Sequence, residues 1–204
     1  MKQTIYTIGY TSFEINKFIE VLQKFNINCL IDVRSTPRSS YYTDFDDYNL
    51  KNTLRNHNIV YRNYKEEFGA RQENRDFYSK EGYLDFEKFA KSKQFNNGID
   101  KIKKAYEMNY NVCLMCAEKD PFNCHRTILV SKNLKENGFD VQHILANETT
   151  CSQENIEQRL LEKYFPHREQ ISFFSEDNLS DEEAIQKAYK LRNEEIGFKL
   201  GEEE

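Results

Sequence analysis

The chain predicts an α/β fold: a mainly parallel sheet layered in the Rossmann manner, with helices on both faces and a C-terminal helical extension. Three observations carry this reading. Short apolar runs bounded by turn residues recur at 4–8, 29–33, 59–61, 112–117 and 140–145, as buried strands do. Stretches with apolar residues three and four apart separate them. No internal repeat or low-complexity linker breaks the alternation.

Residues 4–8 form the first strand, ending at Gly9-Tyr10-Thr11. Thr11 with Glu14 predicts a capping box for a helix carrying Ile15, Phe18, Ile19, Leu22 and Phe25 on one face. The second strand runs into Arg34-Ser35-Thr36-Pro37-Arg38-Ser39, where Pro37 forbids regular structure. Residues 46–58 are helical, with Leu50 and Leu54 a turn apart, and lead to a third strand at 59–61. The polar stretch 62–82 is a surface excursion, and 85–94 and 99–108 are two further helices. Val112-Cys113-Leu114-Met115-Cys116-Ala117 is the most apolar strand; Pro121 ends it, and a helix begins at Cys124-His125-Arg126 and closes at Gly138. Residues 140–145 are the last clear strand, 154–165 are helical, and Ser180 with Glu183 caps a final helix. The expected division is one α/β domain over 1–174 and an acidic helical tail over 175–204, packing on the domain or projecting from it. In the tail Ile185, Ala188, Tyr189, Leu191 and Ile196 are the residues placed to dock.

Composition narrows the class. The chain has 204 residues, 38% hydrophobic and 14% aromatic, enough for a core of its own. No run approaches the roughly 18 apolar residues of a membrane span. The start Met1-Lys2-Gln3 enters the first strand directly, so no signal peptide is expected. Five cysteines, an odd number and mostly in apolar surroundings, suit a reduced, cytoplasmic protein. The net charge of −5 is uneven: 175–204 holds ten acids and four bases, leaving 24 acids and 25 bases before it. Global charge therefore neither supports nor excludes a nucleic-acid partner.

Ligands of open parallel sheets bind beyond the carboxyl ends of the strands. Gly9-Tyr10, the 32–38 segment and the 116–126 segment all follow strand ends, so Asp32, Arg34, Arg38, Glu118, Cys124, His125 and Arg126 converge on one crevice. At a helix start after a buried strand, unsatisfied N–H groups and the helix dipole stabilise an anion or a thiolate. Cys124 is accordingly the candidate low-pKa nucleophile, and Asp32 a base or an anchor for an arginine. Glu118 and His125 would orient groups or exchange protons. Arg34, Arg38 and Arg126, with Gly9, Tyr10 and Arg71, are the candidate substrate contacts. The bland alternatives are a packed Cys124 with Arg126 pairing Glu118 or Asp120, and a structural Asp32–Arg34 or Asp32–Arg126 pair.

Cys113-x-x-Cys116 invites a redox or zinc reading, but a three-residue separation along a strand points the two side chains to opposite faces, so both are expected in the core. Cys116, Cys124 and His125 remain a geometrically allowed metal set. No cofactor is predicted. Tyr41, Tyr42, Tyr61, Tyr64, Tyr78 and Tyr83 flank the basic 34–75 region; they suit base stacking or, more simply, packing. His57 and His167 are expected at the surface, and His143 as a hydrogen-bonded core residue.

Taken together, Thr7-Ile8-Gly9, Asp32-Val33-Arg34-Ser35-x-Pro37-Arg38-Ser39, Cys116-Ala117-Glu118-x-Asp120-Pro121-x-x-Cys124-His125-Arg126 and Val141-x-His143-Ile144 resemble the bacterial and archaeal family called domain of unknown function 488. The likeness covers about residues 3–174, and Ala188-Tyr189-x-x-Arg192-Asn193 resembles the tail of its longer members. It implies an α/β fold and brings no established reaction. The sequence departs from the family pattern at Tyr10, where His is usual, and at Ala70, where a second Gly commonly follows Gly69. A weaker likeness is to rhodanese-like sulfurtransferases, through Leu30-Ile31-Asp32-Val33-Arg34. Their nucleophile opens a loop of about six residues ending at Arg, whereas Cys116 lies ten before Arg126 and Cys124 only two, which argues against that chemistry. The leading expectation is an enzyme whose Arg/Cys/His/Asp crevice acts on a phosphate-bearing small molecule or nucleic acid. The alternatives are a non-catalytic anion or nucleic-acid binding module and a metal- or redox-linked Cys/His protein; no membrane partner is expected.

Overall fold

The chain builds a six-stranded sheet, seen in a computed structural model that describes residues 3–166 and 179–201. In chain order come β1 (Thr4–Gly9), α1 (Ile15–Lys24), β2 (Cys29–Asp32), α2 (Asp47–Asn56), β3 (Val60–Asn63), α3 (Lys65–Phe68), α4 (Phe86–Ala90) and α5 (Lys93–Glu107). Then follow β4 (Val112–Cys116), α6 (Lys132–Glu136), β5 (Asp140–Ile144), β6 (Thr150–Ser152), α7 (Gln153–Tyr164) and α8 (Asp181–Ile196). The spatial order is β3-β2-β4-β1-β5-β6, with β1 to β5 parallel and β6 antiparallel to β5. This is the α/β class that the alternation predicts.

Two cores sandwich the sheet. Phe18, Ile19 and Leu22 of α1 and Leu50 and Leu54 of α2 cover Ile8, Leu30, Cys113 and Met115. On the other face Ile31, Leu114 and Cys116 lie with Phe89 of α4, Ile99 and Ile102 of α5, Leu160 of α7 and Ala188 of α8. Cys113 and Cys116 thus occupy opposite cores, as the two-residue strand period requires. Among the described residues no helix is long and apolar enough to cross a membrane.

Several expectations are corrected. Thr11 is not a helix cap: it sits in a 3-10 turn, Tyr10–Ser12, and its Oγ1 donates to Ala117 O at 2.6 Å, while α1 starts after Glu14 with no side-chain cap. β6 follows the expected last strand; three residues are too few to show a period. The second helix of the 85–108 region begins at Lys93, because Ser92 Oγ accepts from Phe95 N at 3.1 Å. Gly98 lies inside that helix rather than ahead of it, and it is glycine because a Cβ there would meet the Phe68 ring at 2.7 Å. The capping box at Ser180 and Glu183 is present, but in α8 the buried positions include the polar Arg192 and Asn193 rather than Leu191. Asn193 explains its place by accepting from Phe86 N at 2.9 Å and donating to Leu84 O at 2.8 Å. His167 lies outside the described residues.

Candidate functional site

The carboxyl ends of β1, β2 and β4 are neighbours: Gly9 is in register with Cys116, and Asp32 with Met115. Beyond them opens a crevice of about 1040 Å³, lined by Tyr10, Arg34, Arg38, Arg71, Cys116, Glu118 and His125 from the body. Glu195 in the last turn of α8, and Phe198 and Lys199 just after it, line it too. The wall carries more cations than carboxylates, so it favours an anion.

Gly9 shapes the site without facing it. A Cβ on Gly9 would lie 2.0 Å from Glu118 O and 3.2 Å from Lys119 Cα, so only glycine lets the 118–119 backbone cross the end of β1. That crossing delivers Glu118 and the residues after it to the crevice.

Asp32 is fully buried and does not line the crevice. Its carboxylate accepts from Arg34 N at 3.0 Å, Arg34 Nε at 2.9 Å, Arg34 Nη2 at 2.6 Å and Tyr61 OH at 2.8 Å. With so many donors it acts as the anchor of Arg34, the arrangement the bland reading describes. Arg34 Nη2 also donates to Phe45 O at 2.7 Å, whereas Nη1, likewise buried, meets no acceptor. Burial opposes its charge, but Asp32 more than compensates and holds Arg34 charged. Tyr10 packs its ring 4.5 Å from Phe45 and 4.9 Å from the Arg34 guanidinium carbon. Burial raises the Tyr10 phenol's pKa, against the lowering effect of Arg34, so Tyr10 is a neutral wall and not a base near neutral pH.

The sulfur cluster lies at the carboxyl end of β4. Cys116 Sγ, Cys124 Sγ and His125 Nδ1 all fall within 4.8 Å of one another, with Nδ1 3.8 Å from Cys116 and 4.0 Å from Cys124. His125 Nε2 donates to Val33 O at 3.1 Å; a carbonyl can only accept, so that contact fixes the proton on Nε2 and turns Nδ1 toward the sulfurs. Cys124 Sγ is 2.8 Å from Glu118 Oε2, a contact that requires one proton between the two acids. Burial opposes ionisation of Cys124, but the Cys116 thiol, the Arg126 charge and His125 outweigh it and hold Cys124 well below the ordinary thiol range. The hydrogen bond with Cys124, together with burial, holds Cys116 well above it. Burial also opposes the His125 charge, yet Cys124 and Glu118 raise its pKa overall. The two sulfurs titrate as a pair, in which the proton is favoured on Cys116 and the negative charge on Cys124.

The two thiols differ in access. Cys116 lines the crevice, while Cys124 stands behind it, 1% exposed. The helix start also differs: Cys124 is extended, and the chain winds as a π-helix over Arg126–Ser131, six consecutive buried residues, before α6. Arg126 is fully buried, and its Nη1 donates to Glu118 O at 2.7 Å, so it bears on the cluster from behind rather than on the crevice. Arg38 is exposed at the mouth. Arg71 lies 4.4 Å from the Phe198 ring, and its N–H donates to Ser35 Oγ at 2.8 Å.

Most of the tyrosines are packing residues: Tyr61, Tyr78 and Tyr83 are buried, and only Tyr41, 92% exposed, both lines the crevice and keeps a free face. His57 is exposed, and His143 is buried with both ring nitrogens hydrogen bonded. The residues missed were Ser35, Asn123, Glu195, Phe198 and Lys199. The one signal for the last three was the Ala188-Tyr189-x-x-Arg192-Asn193 pattern, all four of which are buried against the body.

A model of the family described as domain of unknown function DUF488 matches residues 14–132, and the chain belongs to that family. The matched span contains the Asp32–Arg34 pair and the whole Cys116 to Arg126 cluster, and it ends before β5, α7 and α8. Neither a curated protein nor a solved structure matches the chain.

Proposed function

We propose that the protein is an enzyme that acts on a phosphate-bearing substrate, nucleotide or nucleic acid, by thiol chemistry in this crevice. The observation that carries the reading is Arg34. It lines the crevice, is held charged and rigid by Asp32, and keeps one buried guanidinium nitrogen without an acceptor. A buried donor of that kind is matched by a phosphate or carboxylate oxygen, with Arg38 adding charge at the mouth. The thiolate shared by Cys116 and Cys124 attacks the electrophilic centre of the substrate. The bond to the leaving group breaks, and the leaving group takes a proton from His125. Water then releases the product and restores thiolate and imidazolium. Glu118, whose side chain is 44% exposed, exchanges protons with solvent.

The test is the pH dependence of alkylation of each cysteine in the native protein, read by mass spectrometry, with and without inorganic phosphate. Cys116 or Cys124 is expected to react with an apparent pKa below the roughly 8.5 of a free thiol. Phosphate should slow the reaction in the wild type, less so in Arg38→Ala, and not in Arg34→Met. Cys29, which burial pushes up to about 11, should stay inert until unfolding. If neither cluster thiol reacts before unfolding, the thiol mechanism is wrong.

A second reading is favoured by the donor set itself. Two sulfurs and an imidazole nitrogen within 4.8 Å, with the other ring N–H held by a carbonyl, could hold a divalent metal such as zinc. Cys116 and His125 line the crevice, so a fourth coordination position would face it. Stoichiometric metal after purification without chelator, with alkylation released only on its removal, would establish this reading in place of the thiolate.

A further inference from the structure

The polar groups behind Arg126 form one unbroken file. Arg126 Nε lies 3.4 Å from Thr7 Oγ1, Thr7 Oγ1 2.8 Å from His143 Nδ1, and His143 Nε2 2.8 Å from Gln153 Oε1. Gln153 Nε2 continues to the Tyr189 hydroxyl at 2.7 Å, which reaches Glu157 Oε1 at 3.2 Å. Thr7, Arg126, His143 and Gln153 are fully buried and Tyr189 is 4% exposed.

The donors can be assigned one by one. Gln153 Nε2 also points to Thr127 O at 3.4 Å, and a carbonyl only accepts, so the Gln153 oxygen faces His143. His143 Nε2 therefore carries the proton, and Nδ1 accepts from the Thr7 hydroxyl. The Thr7 oxygen is then free to accept from Arg126 Nε. At the far end the Tyr189 hydroxyl, already accepting from Gln153, donates to the Glu157 carboxylate, which Lys135 Nζ holds at 2.6 Å. Every hydrogen bond thus runs in one direction, from the guanidinium of Arg126 to an anion at the α7–α8 contact, and each link fixes the next.

A second tie runs to the same helix. Arg192 of α8 donates from Nε to Phe122 O at 3.1 Å and from Nη2 to Asn123 Oδ1, with its guanidinium carbon 4.6 Å from the Phe122 ring. Asn123 lines the crevice and directly precedes Cys124. Glu195 in the last turn of α8, with Phe198 and Lys199 just beyond it, supplies part of the crevice wall.

We propose that α8 is a positioning element of the site: Tyr189, through Gln153, His143 and Thr7, sets the orientation of Arg126 behind the sulfur cluster, and Arg192 sets the loop before Cys124. Tyr189, Gln153, His143 and Thr7 are positioning residues, not catalytic ones. The family match stops at residue 132, so this makes a segment outside the matched span part of the working site. The orientation of Arg126 stands on geometry alone; its effect on thiol reactivity rests on the proposed function above.

The experiment compares full-length wild type, Tyr189→Phe, Thr7→Val and Thr7→Ser. The first readout is the Arg126 Nε–H and His143 Nε2–H signals in proton–nitrogen NMR spectra, with their rates of exchange with solvent. The second is the rate of cluster-thiol alkylation at a fixed pH. Tyr189→Phe keeps the ring and removes only the hydroxyl. It is expected to shift both signals and to speed Arg126 Nε–H exchange by about threefold or more, the scale expected when one buried hydrogen bond is lost. Thr7→Val should do the same, and Thr7→Ser, which restores the hydroxyl, should return the wild-type signals. If Tyr189→Phe folds and leaves the Arg126 and His143 signals unmoved, the proposal is overturned. Should Tyr189→Phe not fold, the valine and serine pair decides on its own: equal spectra for the two overturn it as well. If the Arg126 signals move while the cluster thiols of the wild type are inert, the positioning file stands and the thiol mechanism falls.

Discussion

Asp32→Asn is the perturbation whose size the structure states most directly. The carboxylate and the Arg34 side chain are 0% and 6% exposed, and the pair shares contacts of 2.6 and 2.9 Å. Asn keeps the shape, loses the charge, and turns an NH2 group toward donors that need acceptors, the Arg34 guanidinium and the Tyr61 hydroxyl among them. Arg34 is left as a buried cation with no counter-charge, its acceptors reduced to one amide oxygen and Phe45 O at 2.7 Å. Removing one partner of such a pair costs about 3–5 kcal/mol. With a urea slope of about 2 kcal/mol per molar for a domain this size, the unfolding midpoint should fall by about 2 M. Asp32→Asn combined with Arg34→Met removes both charges and should recover most of that loss, leaving about 1–3 kcal/mol for the orphaned Tyr61 hydroxyl. The assay is urea unfolding followed by fluorescence and circular dichroism, run with and without inorganic phosphate. In both variants the stabilisation by phosphate should disappear, because Arg34 is no longer held in place or no longer present. A double variant whose loss is the sum of the two single losses to within about 0.5 kcal/mol would refute the account, since the two residues would then not act as a pair.

Two further outcomes follow from the buried groups. Burial, with the Arg126 charge nearby, lowers His143 from an ordinary 6.5 to about 3. Between those values the unfolded chain binds a proton that the folded chain refuses, so this contribution is fully present above about pH 6.5 and is lost as pH falls, by up to about 1.4 kcal/mol per unit. His143→Gln removes the titration and should flatten the acid limb of the stability–pH curve by about one proton; parallel limbs would show that His143 is not its source. Gly9→Ala places a methyl group 2.0 Å from Glu118 O, so the 118–119 backbone must move outward. The expected loss is about 3 kcal/mol, at the upper end for overpacking, with altered alkylation of Cys116 because Glu118 moves with its backbone. A melting temperature within about 2 °C of wild type would contradict that close approach.

The fold class was legible because its signals are local. Run length, the two-residue strand period and the helical stripes are properties of ten or so consecutive residues, and they sufficed to place Cys113 and Cys116 on opposite faces. The crevice was legible too, because a parallel sheet sends the ends of β1, β2 and β4 to one edge whatever the packing around it. What escaped was decided by partners far away in the chain. Gly98 falls between the two expected helices 85–94 and 99–108, and only the Phe68 ring against it shows why glycine stands inside α5. Asp32 reads equally as a base or as the partner of an arginine until Arg34 and Tyr61 are seen to take up its oxygens. Cys124 has the better local setting, yet the path of the loop over Gly9 gives the crevice to Cys116. The imidazole of His125 takes its direction from Val33 O, and Arg126 lies at the head of a file that ends on α8. The sequence by itself determined the class of fold and the edge of the sheet at which the chemistry-bearing residues gather. Only the tertiary structure decided which of them face the crevice, because the hydrogen bonds and close contacts that orient each side chain join segments up to 136 residues apart.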